Sequence, residues 1–290
     1  MNCTVLTVRQ FVFNHVPPVF MDFLGRINKV LYRGTDYECP LCASSLRSFL
    51  PLPGQFRIAL KIRGRSFTAL DFETLNVDNY LCPVCRCSDR DRLVALYLHR
   101  LTKGRPAREK LLHFAPERSL SRYLRRIGLY EYRTADLRMK DVDDRVDITR
   151  MTSYNDNSLD CFICSHILEH VPDDAQAMRE LFRILKPGGW GIVMTPILAG
   201  LDGSYEDISK AAPEERLEHF GQKDHVRVYA KGDFIRRLEN AGFGVTQVGA
   251  DFLGADTMRR SGVGEKSCLY VLTKKASDRY PAGRGAEAAG

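Results

Sequence analysis

Residues 158–196 read SLDCFICSHILEHVPDDAQAMRELFRILKPGGWGIVMTP, and the order of signals in this stretch decides the fold. Leu159 to Ile163 is an apolar run suited to a strand buried on both faces. Pro172-Asp173-Asp174 supplies a helix start, and Ala175, Met178, Leu181, Phe182 and Leu185 follow at helical spacing as one apolar stripe. Lys186-Pro187-Gly188-Gly189 should stop that helix, because proline cannot continue it and glycine accepts left-handed dihedrals. Ile192, Val193 and Met194 then open another buried strand. Strand, crossover helix and strand form the repeating unit of a parallel sheet. Ligands of such sheets lie beyond the carboxyl ends of the strands, which puts Ser165, His166 and Glu169 beside a crevice.

On the N-terminal side, Leu111 to Phe114 predicts the first strand, with Ala115, Pro116 and Glu117 as its turn. Pro116 suits the first turn of a helix that Leu120, Leu124 and Ile127 carry onward. Tyr130 to Ala135 predicts a second strand ending at Asp136, 23 positions after His113. An acidic residue at about that distance accepts ribose hydroxyls in dinucleotide sites, so Asp136 reads as a ribose ligand rather than a plain turn aspartate. Val146-Asp147-Ile148-Thr149 has the pattern of a third strand end. No G-x-G-x-x-G occurs anywhere in the chain. Beyond Pro196 the chain leaves the sheet for some thirty residues, and 197–230 reads as a substrate lid over the strand ends. His219, Asp224, His225, Arg227 and Tyr229 cluster in it, able either to reach a substrate or to anchor the lid. Asp233 should cap a helix that buries Phe234, Leu238 and Ala241 and closes at Gly242. Val245 to Val248 and Cys268 to Thr273 complete the sheet, the latter antiparallel, and 276–290, rich in Gly and Ala, reads as a disordered tail.

The chain has 290 residues, enough for one large α/β domain with an appendage. Residues 1–110 carry 17 Lys and Arg against 9 Asp and Glu, a balance of +8, whereas the remainder carries 26 against 27. A basic N-terminal part is either a solvated surface or a seat for an anionic partner. Within 1–38, Phe20, Phe23, Leu24, Ile27 and Leu31 share one helical face, with Arg26, Lys29 and Arg33 around it. Such a face can lie on a membrane or grip a partner, and the expectation is that it packs on its own protein. Nine cysteines include Cys39-Pro-Leu-Cys42 and Cys82-Pro-Val-Cys85, two knuckles of the kind a tetrahedral zinc site asks for. They predict structural zinc on Cys39, Cys42, Cys82 and Cys85, with Cys87 as a spare thiol competing for the fourth position. Cys161 and Cys164 read as buried small hydrophobes. Between the knuckles Phe56, Ile58, Leu60 and Ile62 alternate with Arg57, Lys61 and Arg63, a strand with one apolar and one basic face. Ser88 to Leu101 predicts a helix burying Leu93, Leu96, Tyr97 and Leu101, and Gly104-Arg105-Pro106 a linker. No apolar run is long enough for a membrane span, and no cleavage-type leader is visible, so a cytoplasmic, reducing location is expected.

SHILEHVPDD followed by ELFRILKPGGW resembles the central segment of class I S-adenosylmethionine-dependent methyltransferases, particularly those with a "type 11" methyltransferase domain. HFAPERSL, a CPxC knuckle just before Arg90-Asp91-Arg92-Leu93, and FGQKDHVRVY are similar to a bacterial subgroup of that family, over about residues 39–274. Arg86 stands where the subgroup has a glycine after the second knuckle, and His113-to-Glu117 where most of the family has an acidic residue and several glycines. The resemblance implies a doubly wound, seven-stranded Rossmann-like sheet over 108–275, with a zinc-knuckle subdomain and connecting helix over 39–104. It implies S-adenosylmethionine held by His113, Ala115, Glu117, Asp136, Asp147 (on the adenine amino group), Ser165 and His166. Methyl transfer is an in-line displacement that mainly needs positioning and exclusion of water. His225 is expected as base or acceptor-positioning group, Tyr229 and Arg227 as orienting groups, and His166 as the second candidate base. The acceptor is expected to be a small molecule, a sugar or secondary metabolite. The alternatives are RNA gripped by the basic zinc subdomain, and a non-catalytic cofactor-binding or scaffold protein.

Overall fold

The structure, a computed structural model, describes residues 18–54, 60–101, 108–207 and 209–275. The predicted tail, the Gly104-Arg105-Pro106 linker and Phe56, Arg57 and Ile58 of the alternating strand lie outside the described residues. The chain forms two compact units. One comprises the described residues up to Leu96 with Pro196–Asp233 and Gly249–Cys268; the other comprises Tyr97–Thr195, Phe234–Val248 and the described residues from Leu269 on. The predicted lid, expected as part of the sheet domain, therefore belongs with the N-terminal region.

The second unit is built on seven strands: β1 (Glu109–Phe114), β2 (Tyr130–Asp136), β3 (Asp144–Arg145), β4 (Leu159–Ser165), β5 (Leu185–Met194), β6 (Gly244–Val248) and β7 (Leu269–Thr273). They lie in the order β6-β7-β5-β4-β1-β2-β3, with β7 antiparallel to both neighbours and the other pairings parallel. This is the doubly wound, Rossmann-like sheet that the resemblance implies. Every residue of β4 except Asp160 is buried, as a central strand covered on both faces requires. Gly191 of β5 has no room for a side chain, because the Phe162 ring of β4 occupies the place a Cβ would take.

Local boundaries differ where tertiary pairing outweighs punctuation. Leu185-Lys-Pro-Gly-Gly lies inside β5 rather than in a loop before it, and the register of β4 against β5 shifts between Leu159 and Cys161 to accommodate it. The Asp174–Ile184 helix is capped by the Asp173 side chain, which accepts from Gln176 N at 2.9 Å. Its buried stripe is Ala177, Met178, Leu181 and Ile184; Ala175 is exposed and Leu185 already belongs to the strand. The third strand stops at Arg145, before the expected Val146–Thr149. Pro116 precedes the Arg118–Ile127 helix instead of lying in its first turn, and Asp233 lies inside the Lys231–Asn240 helix rather than at its cap.

In the first unit the supposedly irregular excursion has its own structure. Tyr205–Glu206 pairs with Arg227–Val228, and Pro213–Phe220 is a helix. Leu198, Phe220 and Val228 share a buried cluster with Leu60, Ile62 and Phe67 of the Leu60–Ile62 and Arg65–Phe67 hairpin. Burial of these side chains contributes about 1.5–3 kcal/mol apiece. The apolar stripe of the Pro18–Leu31 helix departs from expectation: Phe23, Leu24, Ile27, Val30 and Leu31 are all exposed.

The loop between β3 and β4 is held by one arginine. Arg183 donates to Met151 O (2.9 Å), Tyr154 O (2.9 Å) and Asp156 (2.7 Å), and pairs with Glu180 at 2.6 Å. Glu180 also accepts from Met151 N at 2.7 Å. Its hydrogen bonds from Arg183 hold the Glu180 carboxyl below its ordinary range. A depressed carboxyl contributes stability that is present above the unfolded value, about 4.3, and lost as pH falls through the folded one. Glu180→Gln should cost about 1–2 kcal/mol at neutral pH, with the difference from the parent closing below about pH 4, as followed by thermal unfolding across pH.

Candidate functional site

The sheet reverses its winding between β1 and β4, the place where doubly wound folds hold ligands beyond the strand ends. Two non-glycine residues with left-handed backbone flank this point: Ala115 (φ +44) just past β1 and His166 (φ +55) just past β4. Such conformations cost on the order of 1–3 kcal/mol and persist where surrounding structure enforces them. Ala115 N donates to Ala135 O at 2.8 Å and His166 N to Met194 O at 2.8 Å, so each is pinned to the next strand. Ala115 thus makes the turn that the wider family makes with glycine, which explains how the chain dispenses with a glycine-rich motif.

Both aspartates predicted to meet the nucleoside lie past this edge, and each divides its carboxylate. Asp136 Oδ1 accepts from Arg138 N (2.6 Å) and Met139 N (2.7 Å). Asp147 Oδ1 accepts from Thr149 N (2.9 Å) and Thr149 Oγ1 (2.7 Å). In both, Oδ2 makes no hydrogen bond among the described residues, so only one oxygen shapes the turn. His113 is differently placed. Its ring is wholly buried, with Nδ1 2.9 Å from Tyr132 Oη and Nε2 2.8 Å from Glu117 Oε2, and Tyr132 in turn donates to Ser121. His113 and Glu117 therefore staple the β1 turn to the following helix. Burial pushes the Tyr132 phenol up to about 12, so it remains a neutral bridge.

At the end of β4, Ser165 is buried and His166 is partly exposed. Glu169, almost fully buried, places Oε1 3.1 Å from His166 Nδ1, and its Oε2 accepts from Thr195 Oγ1 at 3.0 Å. Oε1 also lies 4.0 Å from His170 Nε2, so the buried carboxylate stands close to two imidazoles. Glu169 was legible as a crevice residue; Thr195, 26 positions away, carried no signal of the pairing. Desolvation and, after it, the Glu169 charge push the Cys164 thiol up, in keeping with its reading as an inert buried residue.

His225, Arg227 and Tyr229 belong to the first unit and all are buried. Arg227 Nη2 lies 3.3 Å from Glu206 Oε2, and its guanidinium carbon 5.7 Å from the Tyr229 ring centroid. His219 Nδ1 meets Tyr205 Oη at 3.1 Å, an anchoring contact within the same excursion.

Also in the first unit, the two knuckles close identically. Ala43 N donates to Cys39 O (2.8 Å) and Arg86 N to Cys82 O (3.0 Å), and both Ala43 (φ +53) and Arg86 (φ +63) are left-handed. Arg86 therefore preserves the turn that glycine would make. Cys39 Sγ lies 3.7 Å from Cys85 and 3.5 Å from Cys87, and Cys42 Sγ 3.9 Å from Cys82. A zinc–sulfur length near 2.3 Å gives a tetrahedral edge of about 3.8 Å, so these thiols suit the metal. Cys39, Cys82, Cys85 and Cys87 lie mutually within 4.8 Å, which gives Cys87 the place expected for Cys42. Cys42 is a fifth sulfur of the cluster, next to Cys82.

A seven-stranded sheet of this order, with an acidic residue ending the second strand and another just past the third, is that of a Rossmann-like domain. Residues 120–193 match the family model described as "Methyltransferase domain". It is 31% identical over 103 residues to the uncharacterized protein YafE of Escherichia coli, covering 36% of this chain and 47% of that one. Over 59 residues it is 41% identical to the ubiquinone/menaquinone biosynthesis C-methyltransferase UbiE of Serratia proteamaculans, covering 19% of this chain and 24% of that one. The chain thus spans less than half the length of these relatives. Among solved structures, the [4+2]-cyclase SpnF is similar at 16% identity and TM-score 0.45, covering 64% of this chain and 84% of that one. A SAM-dependent methyltransferase from Archaeoglobus fulgidus is similar at 13% identity and TM-score 0.42, covering 63% and 94%.

With five thiols at one place, the fourth ligand is expected to be redundant. Cys42→Ser and Cys87→Ser should each retain about one zinc per chain, whereas the double variant, and Cys82→Ser alone, should lose it. Metal analysis of the purified variants, with unfolding by a chelator as a second readout, checks this.

Proposed function

We propose that the chain is an S-adenosylmethionine-dependent methyltransferase acting on a small-molecule acceptor. The observation that carries it is a methyltransferase domain whose sheet reversal point is flanked by two half-free aspartates and an oriented histidine. When bound, the cofactor would supply a methyl group already activated on a sulfonium. Asp136 Oδ2 would accept from the ribose and Asp147 Oδ2 from the adenine amino group, with the backbone at Ala115 and Ser165 lining the site. His113 and Glu117 hold the turn instead of touching the nucleoside. His166, aligned by Glu169, is the base that takes the acceptor proton. Structural zinc would sit on the thiol cluster, and paired Cys-x-x-Cys knuckles accord with a cytoplasmic location. The small-molecule reading is supported by the kinship with UbiE, a C-methyltransferase of quinone biosynthesis.

A second reading, methylation of RNA, is favoured by Lys61, Arg63 and Arg65, which are all exposed on one hairpin. Such binding would weaken steeply with salt. Isotopically labelled methyl from S-adenosylmethionine, offered to fractionated cell extract, should appear in the small-molecule fraction; label in RNA would transfer the assignment to the second reading.

Calorimetry tests the cofactor directly. Asp136→Asn keeps the turn acceptor but removes the second carboxylate oxygen's charge, so it should weaken S-adenosylmethionine and S-adenosylhomocysteine binding by roughly tenfold or more without lowering thermal stability. No saturable heat with the parent protein would leave a scaffold as the reading. His166→Ala should bind cofactor normally yet lose methyl transfer by on the order of 100-fold, with a smaller loss in Glu169→Gln.

A further inference from the structure

The Pro18–Leu31 helix is docked by the wrong side of its amphipathic pattern. Gly25 is buried, and a Cβ there would stand 2.7 Å from Val84 O in the second knuckle. Asn28 Nδ2 donates to Pro83 O at 2.9 Å in the same turn. The small and polar side thus rests on the knuckle, which turns the apolar stripe outward. Phe23 is 57% exposed, Val30 76% and Leu31 58%, with Leu24 and Ile27 exposed between them. An ordinary surface helix does the reverse and spends its apolar face on its own protein.

The charge around the stripe says what covers it. Arg26 and Lys29, both exposed, border it on the helix, and Arg33 and Arg47 are exposed where the helix ends. The Arg47 guanidinium carbon lies 5.5 Å from the Tyr32 ring centroid, placing an aromatic ring and a cation together at that end. Residues 18–35 include three basic residues and one acid, Asp22. An apolar stripe bordered by lysine and arginine, with an amphipathic aromatic at its end, matches the boundary between acyl chains and anionic headgroups. A helix of 14 residues lying in that plane needs no span, and no helix among the described residues is long and apolar enough to cross a membrane.

We propose that this helix seats the protein on an anionic lipid surface, with Phe23, Ile27, Val30 and Leu31 entering the interface and Arg26, Lys29, Arg33 and Arg47 meeting headgroups. The zinc knuckle serves as the platform that fixes which face points outward. Sedimentation of the full-length protein with vesicles tests it. Phosphatidylcholine vesicles containing about one-third phosphatidylglycerol should carry down roughly tenfold or more protein than pure phosphatidylcholine, with binding falling as salt rises. Phe23→Ser with Val30→Ser, and separately Arg26→Glu with Lys29→Glu, should each abolish most of that binding while zinc content and thermal unfolding stay unchanged. Failure to sediment with anionic vesicles, or binding that survives both double variants, overturns the proposal. So does a dimer in light scattering that Phe23→Ser with Val30→Ser converts to monomer, which would give the face to a second copy of the chain.

Discussion

A guanidinium shut off from water has to find acceptors for its N–H groups, and the first unit is assembled around the place where Arg92 finds them. Its side chain is wholly buried. It donates to the carbonyls of Ser261 (2.6 Å), Tyr80 (3.3 Å), Cys87 (3.2 Å), Gly262 (3.1 Å) and Asn79, and stacks 3.9 Å from the Phe49 ring centroid. These acceptors come from three separate stretches of chain. Breaking such a network leaves a buried charge uncompensated, which costs about 3–5 kcal/mol, whereas the intact network mainly dictates which segments meet. Ser88 N bonds to Asp91 Oδ2 at 2.8 Å and Asp91 N to Ser88 Oγ at 3.3 Å, starting the helix that carries Arg92 to this position.

The same economy recurs at the end of the sheet, where residues serve structure with one atom and leave another open. Asp136 and Asp147 each spend Oδ1 on a local turn. Glu169 spends one oxygen on Thr195 and directs the other at His166. Ala115 and His166 accept left-handed dihedrals that glycine would take without strain, because their amides are tied to β2 and β5 respectively. A site made this way is stiff before any ligand arrives, which lowers the ordering cost of holding a reactant in line. A substitution that removes the Oδ1 acceptor of either aspartate would also loosen the local turn.

The cysteine cluster holds one thiol more than a four-ligand zinc site would need. The knuckle turns shape this cluster and the platform beneath the N-terminal helix at once. Three features thus meet at one place: the thiol cluster, the seating of Gly25, and the outward aim of an apolar helix face.

The layout of the sheet domain was legible in the residue order. The apolar run of Leu159 to Ile163, the stripe on the following helix, and the paired phrases around it signalled parallel strands, because both-face burial imposes local patterns that survive in one dimension. The strand end at Asp136 and the two thiol knuckles were legible as well. Strand limits around Leu185-Lys-Pro-Gly-Gly were not legible, since pairing with β4 carries the strand through residues whose intrinsic preference is to stop. Nor was the partition that unites 197–230 with the N-terminal region, which depends on Leu198, Phe220 and Val228 finding Leu60 and Phe67 across more than a hundred residues. The divided roles of the aspartates, the Thr195–Glu169–His166 chain and the outward turn of the first helix likewise belong to tertiary structure. Hydrophobic periodicity records which residues can be buried together; only the folded chain decides which polar atoms are consumed in holding them there and which remain for a ligand.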